Sequence, residues 1–160
     1  MTKPFVDHIN FRNSEIDEPI EDDFNVLEEL LKEEKFSFSL SILHDADGGM
    51  EFDYNGKVFA IWGAENSARG KFSFCLLNND KGSEKISFRD DQLPAYMTTD
   101  CVESVIEIAR AYFLYGELNF SYDWHVTTKG LWVDKEDIPD KEIIHKSSSN
   151  GIVEFLKTLN

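Results

Sequence analysis

The side chains with the means to do chemistry are plentiful here but poorly assembled. Asp45 and Asp47 precede Gly48 in an Asp-x-Asp-Gly run, which is how a calcium loop opens. An EF-hand loop needs its glycine at position six and a glutamate at position twelve. Counted from Asp45, Gly48 falls at position four and Gly56 at twelve, so a hairpin turn is expected and no metal. His8, His44, His125 and His145 are scattered. None stands three or four residues from another, and none is at ligand spacing from Cys75 or Cys101. The Ser147-Ser148-Ser149 run lacks the strand-to-helix turn of a nucleophile elbow and reads as loop or helix cap. Glycines occur singly at turns, without a phosphate-binding pattern. Carboxylates are abundant, yet no pair is singled out for acid–base work. The sequence therefore predicts neither an enzyme nor a cofactor.

The same carboxylates can serve as a binding surface. The 160 residues carry 31 acidic and 16 basic side chains, a formal net charge of -15. Such a surface repels nucleic acid and anionic lipid, and it speeds encounter with basic partners. Residues 15–34 hold ten acids against one base, Lys32, either as a solvated face or as a docking surface. The candidate docking acids are Glu21, Asp22 and Asp23, then Asp45 and Asp47, then Asp90 and Asp91. Trp62 is the candidate aromatic anchor. Its strand is apolar on both faces, with Ala60 and Val58 sharing its parity and Phe59 and Ile61 opposed. One face then takes a helix, and the other a partner or a second helix.

Elements must hold these groups in place. Phe5 to Phe11 reads as a first strand and residues 13–23 as an acidic loop. Asp22 or Asp23 is expected to cap a helix with Phe24, Leu27, Leu30 and Leu31 on one face. Phe36, Phe38, Leu40 and Ile42 alternate with Ser37, Ser39 and Ser41, the pattern of a half-buried antiparallel strand. Met50 to Tyr54 is the next strand. Asn55-Gly56 signals a type I′ hairpin, with Lys57 to Trp62 returning. Residues 63–70 read as a polar loop, Phe72 to Leu76 as a strand, 78–82 as a turn, and Ile86 to Phe88 as a short strand. Five strand candidates thus follow the first helix as a meander.

From Leu93 to Val126 the pattern is clearest. Asp100 and Glu103 resemble a capping box. Val102, Val105, Ile106, Ala109 and Phe113 fall at helical spacing, Glu107 and Arg110 are placed to pair, and Gly116 ends the helix. Leu118 to Val126 alternates cleanly and reads as a long central strand, with Trp124 facing the core. Leu131 to Val133 is a short strand candidate, 134–146 a charged connection, and 150–159 a last helix. The fold class expected is α+β: a meander-rich antiparallel sheet packed with two or three helices, in one domain spanning 1–160.

On these residues the chain resembles the immunity proteins of bacterial polymorphic-toxin and contact-dependent growth inhibition systems. The similarity is to the first family of the Imm series, associated with deaminase and nuclease toxins. Phe59-Ala-Ile-Trp62 corresponds to that family's aromatic meander, Leu93-Pro94 to its dipeptide, Val102 to Gly116 to its helix, and Tyr122-Asp-Trp124 to its following strand. Residues 36–126 carry the likeness. The acid precedes Trp124, as Asp123, where the family places one after it. The resemblance implies a non-enzymatic protein that covers the active site of one cognate toxin domain, a basic one if the toxin acts on nucleic acid. A non-enzymatic adaptor for a cellular protein is the alternative. No apolar run approaches the roughly 20 residues that span a bilayer, and the start of the chain lacks a signal-peptide core. A cytoplasmic protein with reduced cysteines, touching neither membrane nor nucleic acid, is expected.

Overall fold

The computed structural model describes residues 3–131, 134–148 and 150–159. A hairpin comes first, β1 (His8–Phe11) with β2 (Ser14–Asp17). The acidic stretch 13–23 is therefore not all loop: Ile16 pairs with Ile9 and packs against the core. Helix α1 (Glu21–Glu33) starts ahead of the expected cap. Ile20 takes the cap position, and the Asp23 carboxylate accepts its amide at 2.8 Å from three residues inside. Phe24, Leu27 and Leu31 are buried, as the spacing predicts.

The meander follows as β3 (Phe38–Ser41), β4 (Asp47–Tyr54), β5 (Phe59–Ser67) and β6 (Gly70–Leu77). Two of its turns differ from expectation. At Asn55-Gly56 the last strand pair is Tyr54 with Phe59, so the connection holds four residues. The Asn55 side chain accepts the amides of Lys57 and Val58, both at 2.9 Å. An Asx-type turn has replaced the two-residue type I′ turn. The polar stretch 63–70 is mostly strand, because β5 continues to Ser67 and closes tightly onto Gly70.

Next, β7 (Lys85–Phe88) and β8 (Asp91–Pro94) form a separate two-stranded flap. A 3-10 turn, Ala95–Met97, leads to β9 (Thr98–Thr99), which joins β5. Helix α2 (Val102–Tyr115) has Cys101, not Asp100, at its cap; the Cys101 amide donates instead to Thr99 Oγ1 at 3.2 Å. Gly116 ends it in the left-handed region at φ 66°. A Cβ there would stand 2.7 Å from the Phe5 ring, so both conformation and space call for glycine.

The long strand expected over 118–126 shrinks to β10 (Asp123–Thr127). Asn119 turns the chain just before it, its side chain accepting the Ser121 amide at 2.8 Å. Strand β11 (Ile143–Ile144) and helix α3 (Ile152–Thr158) complete the fold, after 3-10 turns at Lys135–Asp137 and Asp140–Glu142. The strand expected at Leu131 to Val133, and Trp132 with it, falls outside the described residues beyond Leu131.

Among the described residues, nine strands form one antiparallel sheet in the order β11-β10-β6-β5-β4-β3-β1-β2, with β9 beside β5. The class is α+β. β10 lies near one edge; the centre belongs to β5 and β4. Helices α1 and α2 cover the inner face, where Phe24 stacks on Phe113 at 5.0 Å and Trp124 is fully buried. Arg110 does not take Glu107. It reaches across to α1, donating to Glu28 at 2.6 Å and lying over the Phe24 ring at 4.9 Å. Among the described residues, no helix is long and apolar enough to cross a membrane.

A candidate protein-binding groove on the outer sheet face

The outer face divides along its width, and the division follows from the residues pointing outward. On β5, β6 and β10 these include Ala60, Trp62, Cys75, Leu77 and His125. Four of the five are fully buried or nearly so. A second layer covers them: Phe88 and Leu93 of the flap lie over Ala60, and Tyr96, Met97, Leu131 and Ile138 over Cys75 and Leu77. His125, wholly buried, bonds Glu142 of that layer at 3.0 Å through Nε2. Burial drives the Cys75 thiol far above its usual range and the Tyr96 hydroxyl to about 12, so neither ionises at neutral pH.

On β1, β3 and β4 the outward residues are polar. Asn10, Ser39 and Glu51 follow one another in register across the strands, and Trp62 is next on β5. Ser37 and Asp53 lie one step along on the same face. Polar side chains offer no apolar area to drive a covering layer into place, and this half of the face remains open. It forms the floor of a groove of about 900 Å³. Phe11, Arg12 and Phe36 stand along one side and the flap residues Ser87 to Asp91 along the other.

The floor is acidic and unneutralised. Glu51 is held above the ordinary carboxylate range, first by burial and then by the charge of Asp53 beside it. Asp53 accepts the indole N–H of half-buried Trp62 at 3.1 Å. Among the described residues, no arginine or lysine lies within ion-pair distance of either carboxylate. Glu28 on α1 contrasts with them: it is held below the ordinary range, chiefly by its bond from Arg110.

The docking residues expected from sequence are not brought together as a set. Trp62, Asp90 and Asp91 all line this groove. Glu21, Asp22 and Asp23 sit on the first turn of α1, where Glu21 faces Arg110 at 3.6 Å and Asp23 holds the cap. Asp45 lies in an exposed loop at φ 56°. Asp47 borders a smaller depression of about 260 Å³ that also touches Lys71 and Lys129. Among the described residues, no group of three or more His, Cys, Asp or Glu side chains is set to hold a metal ion.

Glu51 and Asp53 are the groove residues that sequence reasoning passed over. The signal was present. They share strand parity with each other, and the neighbouring strand alternates Ser37, Ser39 and Ser41, so one whole side of two adjacent strands is polar. Glu65 was missed too, having been placed in a loop. It is buried on the inner face, bound by Arg69 and by the Tyr112 hydroxyl at 2.9 Å. Arg69 also donates to the Gly116 carbonyl at 2.8 Å. This network closes one end of the core, and Glu65 also borders the smaller depression beside Asp47. Compared with family models, with curated proteins and with solved structures, the chain gives no match.

Proposed function

We propose that the protein is a non-enzymatic inhibitor of the immunity type, which binds a basic toxin domain and covers its active site. The observation that supports this reading most is the bare, acid-floored half of an otherwise covered sheet face. A fold that builds a second layer over half of a face and leaves the other half polar has kept a surface free. The net charge of -15 would steer a basic partner toward it, an effect that rises at low salt. Trp62 supplies an aromatic anchor of the kind that dominates binding energy at protein interfaces. Inhibition of this kind asks for roughly 1,600 Å² of interface, so the groove would be the centre of a footprint that includes the flap. Action in the cytoplasm belongs to the same proposal.

One observation favours a second reading. Glu51, with its raised pKa beside Asp53, is half of what carboxylate acid–base catalysis requires. The two readings part in a single experiment. Co-expression with the toxin domain encoded immediately upstream should restore growth, and a Glu51→Gln variant should protect less by binding more weakly. An inhibitor that protects without forming a complex would instead favour catalysis. Failure to bind or protect against that neighbour would sink the proposal in favour of an adaptor for a cellular protein.

A further inference from the structure

The fold repeats one local arrangement: an arginine lying over an aromatic ring and paired with a carboxylate. Arg69 lies 4.4 Å above the Phe5 ring and pairs with Glu65. Arg110 lies 4.9 Å above Phe24 and pairs with Glu28 at 2.6 Å. Arg12 lies 4.4 Å above Phe36 and pairs with Glu34 at 3.9 Å. The groove contains a fourth aromatic with carboxylates. Glu51 and Trp62 are register partners on adjacent strands, and Asp53 is bonded to the Trp62 indole. This set has no arginine of its own among the described residues. Two arginines line the groove: Arg12 is committed to Phe36 and Glu34, and Arg89, on the flap side, makes no ion pair with either floor carboxylate.

We infer that the groove is a receptor for arginine side chains of a partner's extended segment, laid along β4 with arginines at alternate positions. The inference rests on the inhibitor reading above for the partner's nature and adds how that partner is gripped. Spacing supports an extended occupant. Glu51 and Asp53 are two residues apart on one strand, so their side chains leave the same face roughly 6.5–7 Å apart. Alternate residues of an extended partner repeat at that interval. Arginine suits the site better than lysine for two physical reasons. Its planar guanidinium can face an indole while its N–H groups reach a carboxylate at the edge. It is also more weakly hydrated than an ammonium, which matters beside a carboxylate that burial has already stripped of some water. An arriving guanidinium would replace that lost solvation and keep Glu51 ionised.

The test uses the full chain and a defined probe, an acetylated and amidated Ser-Arg-Ser-Arg-Ser peptide, with lysine and glutamate counterparts. Titration is followed in amide and indole N–H spectra. The arginine peptide should move the Trp62 indole signal and the amides of Glu51 and Asp53. The lysine peptide should bind several-fold more weakly, and the glutamate peptide not at all. Glu51→Gln with Asp53→Asn should weaken the arginine peptide about tenfold or more, as loss of charge-assisted bonds predicts, while amide dispersion shows that the variant is folded. Trp62→Phe is the second variant and should narrow the gap between arginine and lysine. Equal binding of both basic peptides, or shifts spread over Glu21 to Asp23 and Asp45 to Asp47 without Trp62, would overturn the inference. That result leaves the inhibitor reading standing if the chain still protects against the neighbouring toxin. Peptide binding without protection would instead sink the inhibitor reading and leave the arginine site.

Discussion

The two halves of the outer face belong to one continuous antiparallel sheet but differ in what points outward. Over β5, β6 and β10 the outward side chains are mostly apolar or paired, and Phe88, Leu93, Tyr96, Met97, Leu131 and Ile138 cover them. Over β1, β3 and β4 they are Asn10, Ser37, Ser39, Glu51 and Asp53, and the sheet stays open. The outward side chains separate the covered half from the open one. Burial follows apolar area, and among the described residues the acidic strip has no arginine or lysine within ion-pair distance.

The largest effect should come from breaking the covered half. Tyr96 is 1% exposed and packs with Cys75 and Met97. Tyr96→Ala should cost about 3–5 kcal/mol, as loss of a large buried ring does, read from the midpoint of urea unfolding. A loss below about 1 kcal/mol would mean that the layer is loosely seated. A smaller test removes the polar tie beneath it. His125→Ala leaves the Glu142 carboxylate, 8% exposed, without its partner and should cost about 1–3 kcal/mol in the same measurement.

Two carboxylates sharpen the contrast through pH. Glu28 is held below its ordinary value of 4.5 by the bond from Arg110. Its stabilising contribution is complete above 4.5 and fades as pH falls through the lowered value. Arg110→Ala should therefore cost about 1 kcal/mol at neutral pH, from the ion pair and the lost stacking on Phe24, and less in acid. Glu51 is raised above 4.5, so the sign reverses. The folded state holds its proton more tightly, and stability falls as pH rises through the shifted value. Glu51→Gln should stabilise by about half a kcal/mol or less at neutral pH, with the gain vanishing below 4.5. Equal and parallel pH profiles for the two variants would erase the distinction between a paired and an unpaired acid.

The sheet's alternating strands, the apolar face of α1, the Gly116 stop and the buried Trp124 were legible because each rests on local periodicity or on one residue's backbone preference. Strand β10 was overread. Leu118, Phe120 and Tyr122 keep the right parity, but the Asn119 turn ends the extended backbone there, and Phe120 is 41% exposed. The caps at Asp100 and Asp22 went to neighbours: Ile20 starts α1 with its amide on the Asp23 carboxylate, and Cys101 starts α2 with its amide on Thr99 Oγ1. Asp90, Asp91 and Trp62 were found as separate signals and meet in one groove. Glu51 and Asp53 lie within the strand read over Met50 to Tyr54, as the polar half of its alternation. Which wet side stays wet depends on where the flap folds, and that depends on contacts across tens of residues. Glu65 was hidden for the opposite reason: its ion pair with Arg69 lies inside a polar stretch that looks like a loop until the Tyr112 hydroxyl of α2 is placed against it.

The bare half as the proposed working surface is tested most directly by the affinity of the full chain for the domain encoded by its upstream gene, with wild type compared to Glu51→Gln/Asp53→Asn at low and high salt. At low salt the double variant should bind at least about tenfold more weakly, a loss of about 1.4 kcal/mol or more, and the gap should shrink as salt rises. Unchanged affinity in that variant, with binding abolished by reversing Glu21, Asp22 and Asp23 instead, would contradict the account and move the working surface to the first helix.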